Sequence, residues 1–390
     1  MRTTIGADEF ARRRAGATDA ARERGFRGLM VCARGGGSVD RYGDVMYLSN
    51  FYTAFPFIPD RQPDWSARAH AFVLLPVDGE PVLVCDVKPG ADDHLPIDDV
   101  VVADDMVAAL ARELSVRGMA GGEVGVAGAD AVPWGVMRKL EAELPDVVWR
   151  EADEILERLR LVKSPGEVAL LRASSAMGSR AIDAMLDAAK PGVTQGAVML
   201  AGLEVMVPQG GILYNSFMSA GRGGGNAQAC ASDFPTWAHP EPLADGQWFH
   251  VGLSGVLDGY YFDHARSGPI GDPSADQIRV FEAPIAAVQA GVAAIEPGAT
   301  AADVARAARA GLEAAGFPLE GSFLGFGHGI GLGWDAPWLI PDDDTPLVPG
   351  MVLCVERSVR HAGFYGDFEE TVLVTDEGCE LLTDARVRRW

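Results

Sequence analysis

The sequence predicts an α+β protein with two domains, residues 1–157 and 158–390, of which the second is internally duplicated. Three observations support this prediction. Residues 1–150 alternate short apolar runs with amphipathic stretches, a pattern typical of an α/β domain. A helix start is encoded near residue 164, and from there a helix–helix–hairpin pattern occurs twice. The length of 390 residues agrees, because domains average about 150 residues.

The elements of the first domain follow from periodicity and from the positions of glycine and proline. Apolar, β-prone runs bounded by these residues predict strands, and an amphipathic pattern predicts helices. The predicted strands are 28–33, 69–76 and 81–87, and the predicted helices are 7–25 and 104–118. This alternation predicts an α/β domain.

The second domain opens on a helix N-terminus. Ser164 is a good N-cap residue, Pro165 suits the first helical position, and Glu167 stands three residues after the cap. We therefore expect a helix from this point to about Lys190, and a domain boundary near 158–164.

The rest of the chain repeats this organisation. The helix start Lys190-Pro-Gly-Val-Thr194 recurs as Glu296-Pro-Gly-Ala-Thr300, an offset of 106 residues, and each threonine is expected to cap a second helix. Gly246 and Gly350 then each open a strand, an offset of 104 residues. Two copies of one unit predict a pseudo-symmetric domain with a site on its approximate twofold axis, where the two sheets meet.

The expected strands of this domain carry acidic residues. Glu356 follows Gly350 by six residues, and the same step in the first copy leads to Gly252. Asp263 and Glu369 lie on the second strand of each copy, and His328 lies in a glycine-rich segment. Acids in such segments must be paired, metal-bound or solvated. Three carboxylates and one imidazole suit one divalent metal, Mn, Fe, Co or Zn.

The charge balance excludes some partners. The chain has 33 basic and 55 acidic side chains, a formal net charge of −22, which repels phosphate backbones and anionic lipids.

No run approaches the length of about 18 apolar residues that predicts a membrane span. Five scattered cysteines without a C-x-x-C pair favour reduced thiols in the cytoplasm. We therefore expect a cytoplasmic protein with neither a nucleic-acid nor a membrane partner.

Motifs in both domains carry a resemblance to a known superfamily. They are Tyr47-Leu48-Ser49, Val77-Asp78-Gly79-Glu80-Pro81, Lys163-Ser164-Pro165, Gly259-Tyr260-Tyr261-Phe262-Asp263, Gly327-His328-Gly329-Ile330-Gly331-Leu332, Pro349-Gly350-Met351-Val352 and Glu369-Glu370-Thr371-Val372. The second domain resembles the pita-bread superfamily, which includes creatinase, prolidase and the Xaa-Pro and methionine aminopeptidases. The first resembles the creatinase/prolidase N-terminal domain. The resemblance implies a pita-bread catalytic domain and a metal-dependent hydrolase.

The resemblance also implies a ligand set. Dinuclear peptidases of this superfamily have five ligands, and their first aspartate would fall at position 252, which is glycine. That aspartate serves only one of the two metals. The counterparts of the remaining four ligands complete the shell of the other metal, so the resemblance implies a single-metal site. Its ligands would be Asp263, His328, Glu356 and Glu369.

Three departures weaken a peptidase assignment. The histidine expected near 231–236 is absent, and His239 is out of register. Trp334-Asp335-Ala336-Pro337 replaces the segment with the second peptidase histidine, and Asp367 replaces an arginine. The sequence therefore favours a hydrolase of a C–N bond in a small, polar, non-protein substrate. The alternatives are an Xaa-Pro aminopeptidase or dipeptidase, a lyase acting on a small zwitterion, and a catalytically silent binding protein.

The metal is expected to lower the pKa of a water molecule or to polarise a substrate carbonyl. Glu356 or His361 would relay the proton to the leaving group. His250 shares a strand face with Gly252 and could be a further ligand, a base or a core residue. The predicted substrate-binding residues are Arg266, Trp334, Asp335 and Asp367, although Arg266 could instead pair with a structural acid.

The resemblance finally implies a homodimer in which the partner's N-terminal domain caps the site. The aromatic and proline-rich segment 50–66 is the candidate for this cap.

Overall fold

The computed structural model describes residues 5–34, 40–56, 70–90, 94–221, 242–319 and 325–387. It divides into two compact units, Met1–Arg160 and Leu161–Trp390. This division falls three residues after the predicted domain boundary. His239 and most of the predicted cap segment 50–66 lie outside the described residues.

The first unit is an α/β domain built on one six-stranded sheet. Its strands are β1 (Gly28–Arg34), β2 (His70–Pro76), β3 (Val82–Cys85), β4 (Val100–Val102), β5 (Gly122–Ala127) and β6 (Val147–Glu151). They are ordered β4-β3-β2-β1-β5-β6. Its helices are α1 (Ala7–Glu23), α2 (Gly43–Ser49), α3 (Met106–Val116), α4 (Trp134–Glu143) and α5 (Asp153–Leu161).

The predicted elements of this unit are present within a few residues of their expected ends. The central strands β1 and β2 are almost completely buried, which explains why they appear in the sequence as continuous apolar runs. The connection from β1 to β2 includes α2, while a short turn joins β2 to β3 in an antiparallel pair. The sequence pattern had not predicted α2, which is only seven residues long.

The second unit begins with the predicted helix. Helices α6 (Pro165–Ala188) and α7 (Gln195–Met206) form the first pair, and α8 (Ala275–Ala293) and α9 (Ala301–Ala314) form the second. Ser164 and Glu167 form a capping box at the start of α6, and Thr194 and Thr300 cap α7 and α9 through their side chains. The helix starts read from the sequence are therefore confirmed.

Two sheets complete this unit. The first contains β7 (Ile212–Gly221), β8 (Trp248–Leu257) and β9 (Tyr260–Pro269) in that order. The second contains β10 (Gly327–Ile330), β11 (Trp334–Trp338), β12 (Val352–His361), β13 (Phe364–Thr375) and β14 (Gly378–Leu381). Its order is β11-β10-β12-β13-β14, and β13 lies beside β9 of the first sheet. The predicted α+β class is thus confirmed.

The hairpins β8–β9 and β12–β13 correspond residue by residue at an offset of 104. In the first, Ser254 pairs with Asp263 and Gly252 pairs with Ala265. In the second, Ser358 pairs with Asp367, and the glutamates 356 and 369 pair with each other. The duplication seen in the sequence is therefore a repeated hairpin register, and Asp367 occupies in the second copy the place of Asp263 in the first.

Each hairpin buries one face against its helix pair. Phe249, Val251 and Phe262 belong to the core under α6 and α7, and Val355, Val359 and Phe368 belong to the core under α8 and α9. Because side chains alternate along a strand, the residues between these core positions lie on the other face of each hairpin, away from the helices. Helix α6 packs closely against β9: a Cβ at Gly178 of α6 would lie 2.3 Å from the Phe262 ring. None of the described helices is both long enough and apolar enough to cross a bilayer.

Candidate metal centre

The four predicted ligands lie in one region, at the junction of the two sheets. His328 Nε2 lies 3.8 Å from Asp263 Oδ2 and 3.7 Å from Glu356 Oε1. Glu369 is the direct cross-strand partner of Glu356, and its side chain also approaches His328. Residues separated by up to 106 positions in the chain are thus brought together by four strands.

Strand alternation explains this convergence. Glu356 lies on the β12 face opposite to Val355, and Glu369 on the β13 face opposite to Phe368, so both point away from α8 and α9. Asp263 is likewise opposite to Phe262, which faces α6 and α7. The apolar positions that build the two cores therefore direct the carboxylates towards one another.

His328 is in the tautomer that a metal ligand requires. Its Nδ1–H donates to the carbonyl oxygen of Gly329 at 2.9 Å, because a carbonyl can only accept. This leaves the Nε2 lone pair directed towards the acids. Burial lowers the pKa of the ring to about 4, so it is neutral at physiological pH. The indole rings of Trp334 and Trp338 cover it, with centroids 5.2 and 5.9 Å away.

Asp263 is held by three donors, one of which is the backbone N–H of His264. Ser254 Oγ–H donates to Oδ1 at 2.7 Å, and the Trp334 side chain donates to the same carboxyl group. Even so, burial raises the pKa of Asp263 from its ordinary 3.8 to about 7. The three donors do not compensate for the water that the carboxylate loses on folding.

The two glutamates of the site also have raised pKa values. Burial raises the pKa of Glu356 and of Glu369 well above 4.5, and the neighbouring carboxylates raise it further. Within the described residues, Glu369 Oε1 is buried and has no hydrogen-bond partner. Two buried acids, one half-buried acid and the imidazole nitrogen of His328 are a donor set that fits a divalent cation.

Cys354 also lies at this site, which the sequence had not indicated. Its Sγ and the ligand atoms of His328 and Glu369 all lie within 4.8 Å of one another. Burial raises the pKa of this thiol well above 9, and the thiol donates a hydrogen bond to Glu369. Cys354 thus supports Glu369 through a hydrogen bond. Its position two residues before Glu356 on the same strand is the signal that could have revealed it.

A second polar group lies beside the ligands. His250 Nε2 lies 3.2 Å from Asp367 Oδ2, and the His250 ring meets the Tyr365 ring edge-on with centroids 4.8 Å apart. Ser267 holds the Asp367 backbone through hydrogen bonds in both directions, 2.8 and 3.0 Å long. The structure thus brings His250 and Asp367, both predicted site residues, into contact.

Two predicted substrate-binding residues contact other protein groups. Arg266 donates to the backbone oxygens of Glu369 and Ala385 and to the side chain of Glu370, and its guanidinium stacks on a phenylalanine ring. These contacts favour a structural role. Asp335 lies 3.9 Å from the buried Lys163 ammonium. The assignment of both to substrate binding stays a prediction.

His361 lies away from the ligands. It is five residues beyond Glu356 on β12, a separation of about 17 Å along a strand. Its ring contacts Asp276 at 3.1 Å and Arg279 at 3.3 Å on α8, together with the ring of Phe317. The odd offset from Glu356 places it on the helix-facing side of the sheet, so the structure does not bring it to the site.

Family comparisons agree with this architecture. A sequence model of the creatinase/prolidase N-terminal domain matches residues 13–162, and one of metallopeptidase family M24 matches residues 169–376, just over half of the chain. The chain belongs to metallopeptidase family M24. Membership in M24 implies dependence on a divalent metal, in agreement with the donor set.

Individual M24 relatives differ in activity. Ectoine hydrolase from Halomonas elongata is 24% identical over 347 residues, which cover 82% of this chain and 86% of that protein. Xaa-Pro dipeptidase from Lactobacillus helveticus is 30% identical over 247 residues, covering 63% and 66%. The crystal structure of dipeptidase PepE from Mycobacterium ulcerans superposes with a TM-score of 0.78 at 26% identity, and the match covers 98% of both chains. As a member of metallopeptidase family M24, the chain is a hydrolase.

Proposed function

We propose that this M24 protein is a metal-dependent hydrolase that cleaves a C–N bond in a small, polar, non-protein substrate and uses a single divalent metal. The observation that carries the proposal is the convergence of two buried carboxylates, one half-buried carboxylate and one neutral imidazole in the sheet junction that also contains Gly252. That glycine stands where dinuclear relatives would have a further acid. The three carboxylates, when ionised, carry enough negative charge to neutralise one divalent cation.

The four ligands would have distinct roles. Asp263, His328 and Glu369 are buried, with at most 7% of each residue exposed, and would hold the metal. When bound there, a divalent metal supplies Lewis acidity. Glu356 is the most accessible of the four, with 21% of its side chain exposed. We assign to its carboxylate the transfer of a proton from the attacking water to the leaving nitrogen.

The substrate assignment is supported by the relatives and by the loss of peptidase residues. Ectoine hydrolase matches the chain over most of its length. The segment Trp334–Trp338 forms β11 and covers His328 with two indole rings. The two rings shield the histidine from water.

The proposal is tested by metal analysis together with hydrolysis assays. We expect about one divalent metal per chain after reconstitution, and turnover of ectoine or a related small amide or amidine. The dipeptides Ala-Pro and Gly-Pro should not be cleaved. Asp263→Ala should lose both the metal and the activity, whereas the exposed change Asp376→Asn should retain both. Metal-independent turnover in Asp263→Ala would contradict the proposal.

The Xaa-Pro dipeptidase activity is the second candidate, because one such relative is 30% identical over the matched region. Cleavage of the two dipeptides with Mn²⁺ or Co²⁺ would decide in its favour.

We also propose that the protein is a homodimer and that the metal is Mn, Fe, Co or Zn. Light scattering of the purified protein tests the first proposal. Reconstitution with each metal in turn tests the second, and oxygen-rich coordination with one nitrogen favours these borderline cations.

A further inference from the structure

We propose that Asp367 binds a positively charged nitrogen group of the substrate, such as an ammonium or amidinium, and so makes this site selective for cationic or zwitterionic small molecules. This inference deepens the proposed function and rests on it for the nature of the reaction. It is argued from the repeated hairpin, from the contacts of Asp367 and from the balance of charge.

The repeat makes Asp367 the counterpart of the predicted metal ligand Asp263. Both are placed at the same register in their hairpins, each opposite a serine. The predicted metal site combines Asp263 of the first hairpin with Glu356 and Glu369 of the second. At the equivalent positions around Asp367, the first hairpin has Gly252 and Ala265 in place of the two glutamates. The surroundings of Asp367 therefore lack the two carboxylates that would complete an equivalent metal shell. A single carboxylate is better suited to one organic cation than to a metal ion.

The contacts of Asp367 leave one oxygen available. Oδ2 accepts a hydrogen bond from His250, but Oδ1 is buried and has no hydrogen-bond partner within the described residues. The side chain as a whole is 12% exposed, whereas Oδ1 itself is covered, so this oxygen is suited to a donor that enters the site rather than to bulk water. The backbone is fixed by Ser267, and His250 is fixed in turn by the edge of the Tyr365 ring. A fixed acceptor with a free oxygen suits an N–H donor on the substrate.

The charges around Asp367 favour a cation here. Asp367 and the three predicted carboxylate ligands contribute four negative charges, and a divalent metal offsets two of them. Arg357 is the neighbouring cation: Asp367 and Glu356 both raise the pKa of its guanidinium, although burial lowers it overall. One negative charge remains in a buried setting, and a positively charged substrate group would neutralise it.

The competing explanation is a second metal held by His250 and Asp367. Their 3.2 Å separation would suit two ligands of one ion. However, the positions equivalent to Glu356 and Glu369 are Gly252 and Ala265, so the hairpin register does not offer this pair the two glutamates that the first site has. The stoichiometry of bound metal distinguishes the two explanations.

The test uses acetamidinium and acetamide, which have nearly the same shape but differ by one charge. Binding of each to the metal-loaded protein is measured by calorimetry or ligand-observed NMR. We expect the wild-type protein to bind acetamidinium at least tenfold more tightly than acetamide. Asp367→Asn should abolish that preference, whereas Asp376→Asn, a matched loss of one charge on an exposed turn, should retain it. Metal content should remain one per chain in all three proteins.

Several outcomes would overturn the inference. One is a wild-type protein that does not distinguish the two probes, a result that needs no variant to fold. Another is equal acetamidinium binding by Asp367→Asn. A third is two metals in the wild type with one lost in that variant, which would make Asp367 a metal ligand.

The inference and the proposed function can fail separately. If no hydrolysis is found but Asp367→Asn loses acetamidinium binding, the cation site stands and the hydrolase proposal fails. If a neutral or anionic compound proves to be the substrate and the variant turns it over normally, the hydrolase proposal stands and the cation site fails.

Discussion

Removing the metal should make the stability of this protein depend on pH between pH 6 and 8. In the metal-free protein, burial raises the pKa of Asp263 from 3.8 to about 7. The folded state therefore holds a proton in this window that the unfolded state has already released. Stability contributed by a raised acid pKa is present at low pH and is lost as pH rises through the folded pKa. The metal-free protein should thus become less stable from pH 6 to pH 8.

The size of the effect follows from the same pKa. A carboxyl with a pKa of about 7 is mostly protonated at pH 6 and mostly ionised at pH 8, which corresponds to about 1.4 kcal/mol. Glu356 and Glu369 have raised pKa values as well and add in the same direction. For a unit of this size, the loss from Asp263 alone lowers the melting temperature by about 3 to 6 °C. His328, with a pKa lowered to about 4, has the opposite effect, because the unfolded histidine releases its proton near pH 6.5, and between pH 6 and pH 8 this offsets about 0.8 kcal/mol of the loss.

The assay is scanning calorimetry at pH 6, 7 and 8, in a chelator and with saturating Mn²⁺ or Zn²⁺. Metal should remove the slope, because the carboxylates that hold it are ionised in the folded state throughout this range. It should also raise stability by about 2.7 kcal/mol at a concentration one hundred times its Kd. Asp263→Asn should reduce the slope in chelator, and Asp376→Asn should leave it unchanged. A melting temperature that is independent of pH in chelator would refute the reasoning.

Three further predictions concern single residues. Ser254→Ala removes the donor to Asp263 Oδ1 and should weaken metal binding by about tenfold to a hundredfold in a metal titration; an unchanged Kd would show that this hydrogen bond does not orient the ligand. His361→Ala should change kcat/KM by no more than about twofold, because its ring contacts α8 rather than the ligands; a loss of a hundredfold would restore its predicted catalytic role. Gly252→Asp restores the acid that dinuclear relatives have and should raise the metal content from one to two per chain by elemental analysis, whereas a content of one would mean that the backbone at this position no longer presents a ligand.

Much of the fold could be read directly from the sequence because the signals are local. The N-cap serine and threonines satisfy backbone N–H groups within three residues of themselves, so Ser164, Thr194 and Thr300 mark helix starts without reference to the rest of the chain. The repeat offset of 104 residues recovered both hairpins because the two copies share a register. The predicted ligands instead came from the acids on the expected strands and from the histidine in its glycine-rich segment, because the offset itself pairs Asp263 with Asp367.

The contacts between elements could not be read in this way. Ser254 and Cys354 have ordinary local surroundings, and their roles arise only when hairpin register places one against Asp263 and the other against Glu369. His361 was predicted to act in catalysis from its closeness to Glu356 in sequence. Because side chains alternate along a strand, the odd offset of five residues between Glu356 and His361 places the histidine on the opposite face of the sheet.

The sequence by itself therefore determined the α+β class, the helix starts, the duplication and the set of acids and histidine that suits a metal. The tertiary structure alone decided which polar groups share the junction of the two sheets, and hence that Asp367 meets His250 rather than a metal-binding cluster. The physical reason is that capping and periodicity act over three or four residues. Burial and charge, which set the pKa values here, depend on groups that are about a hundred residues apart in the chain.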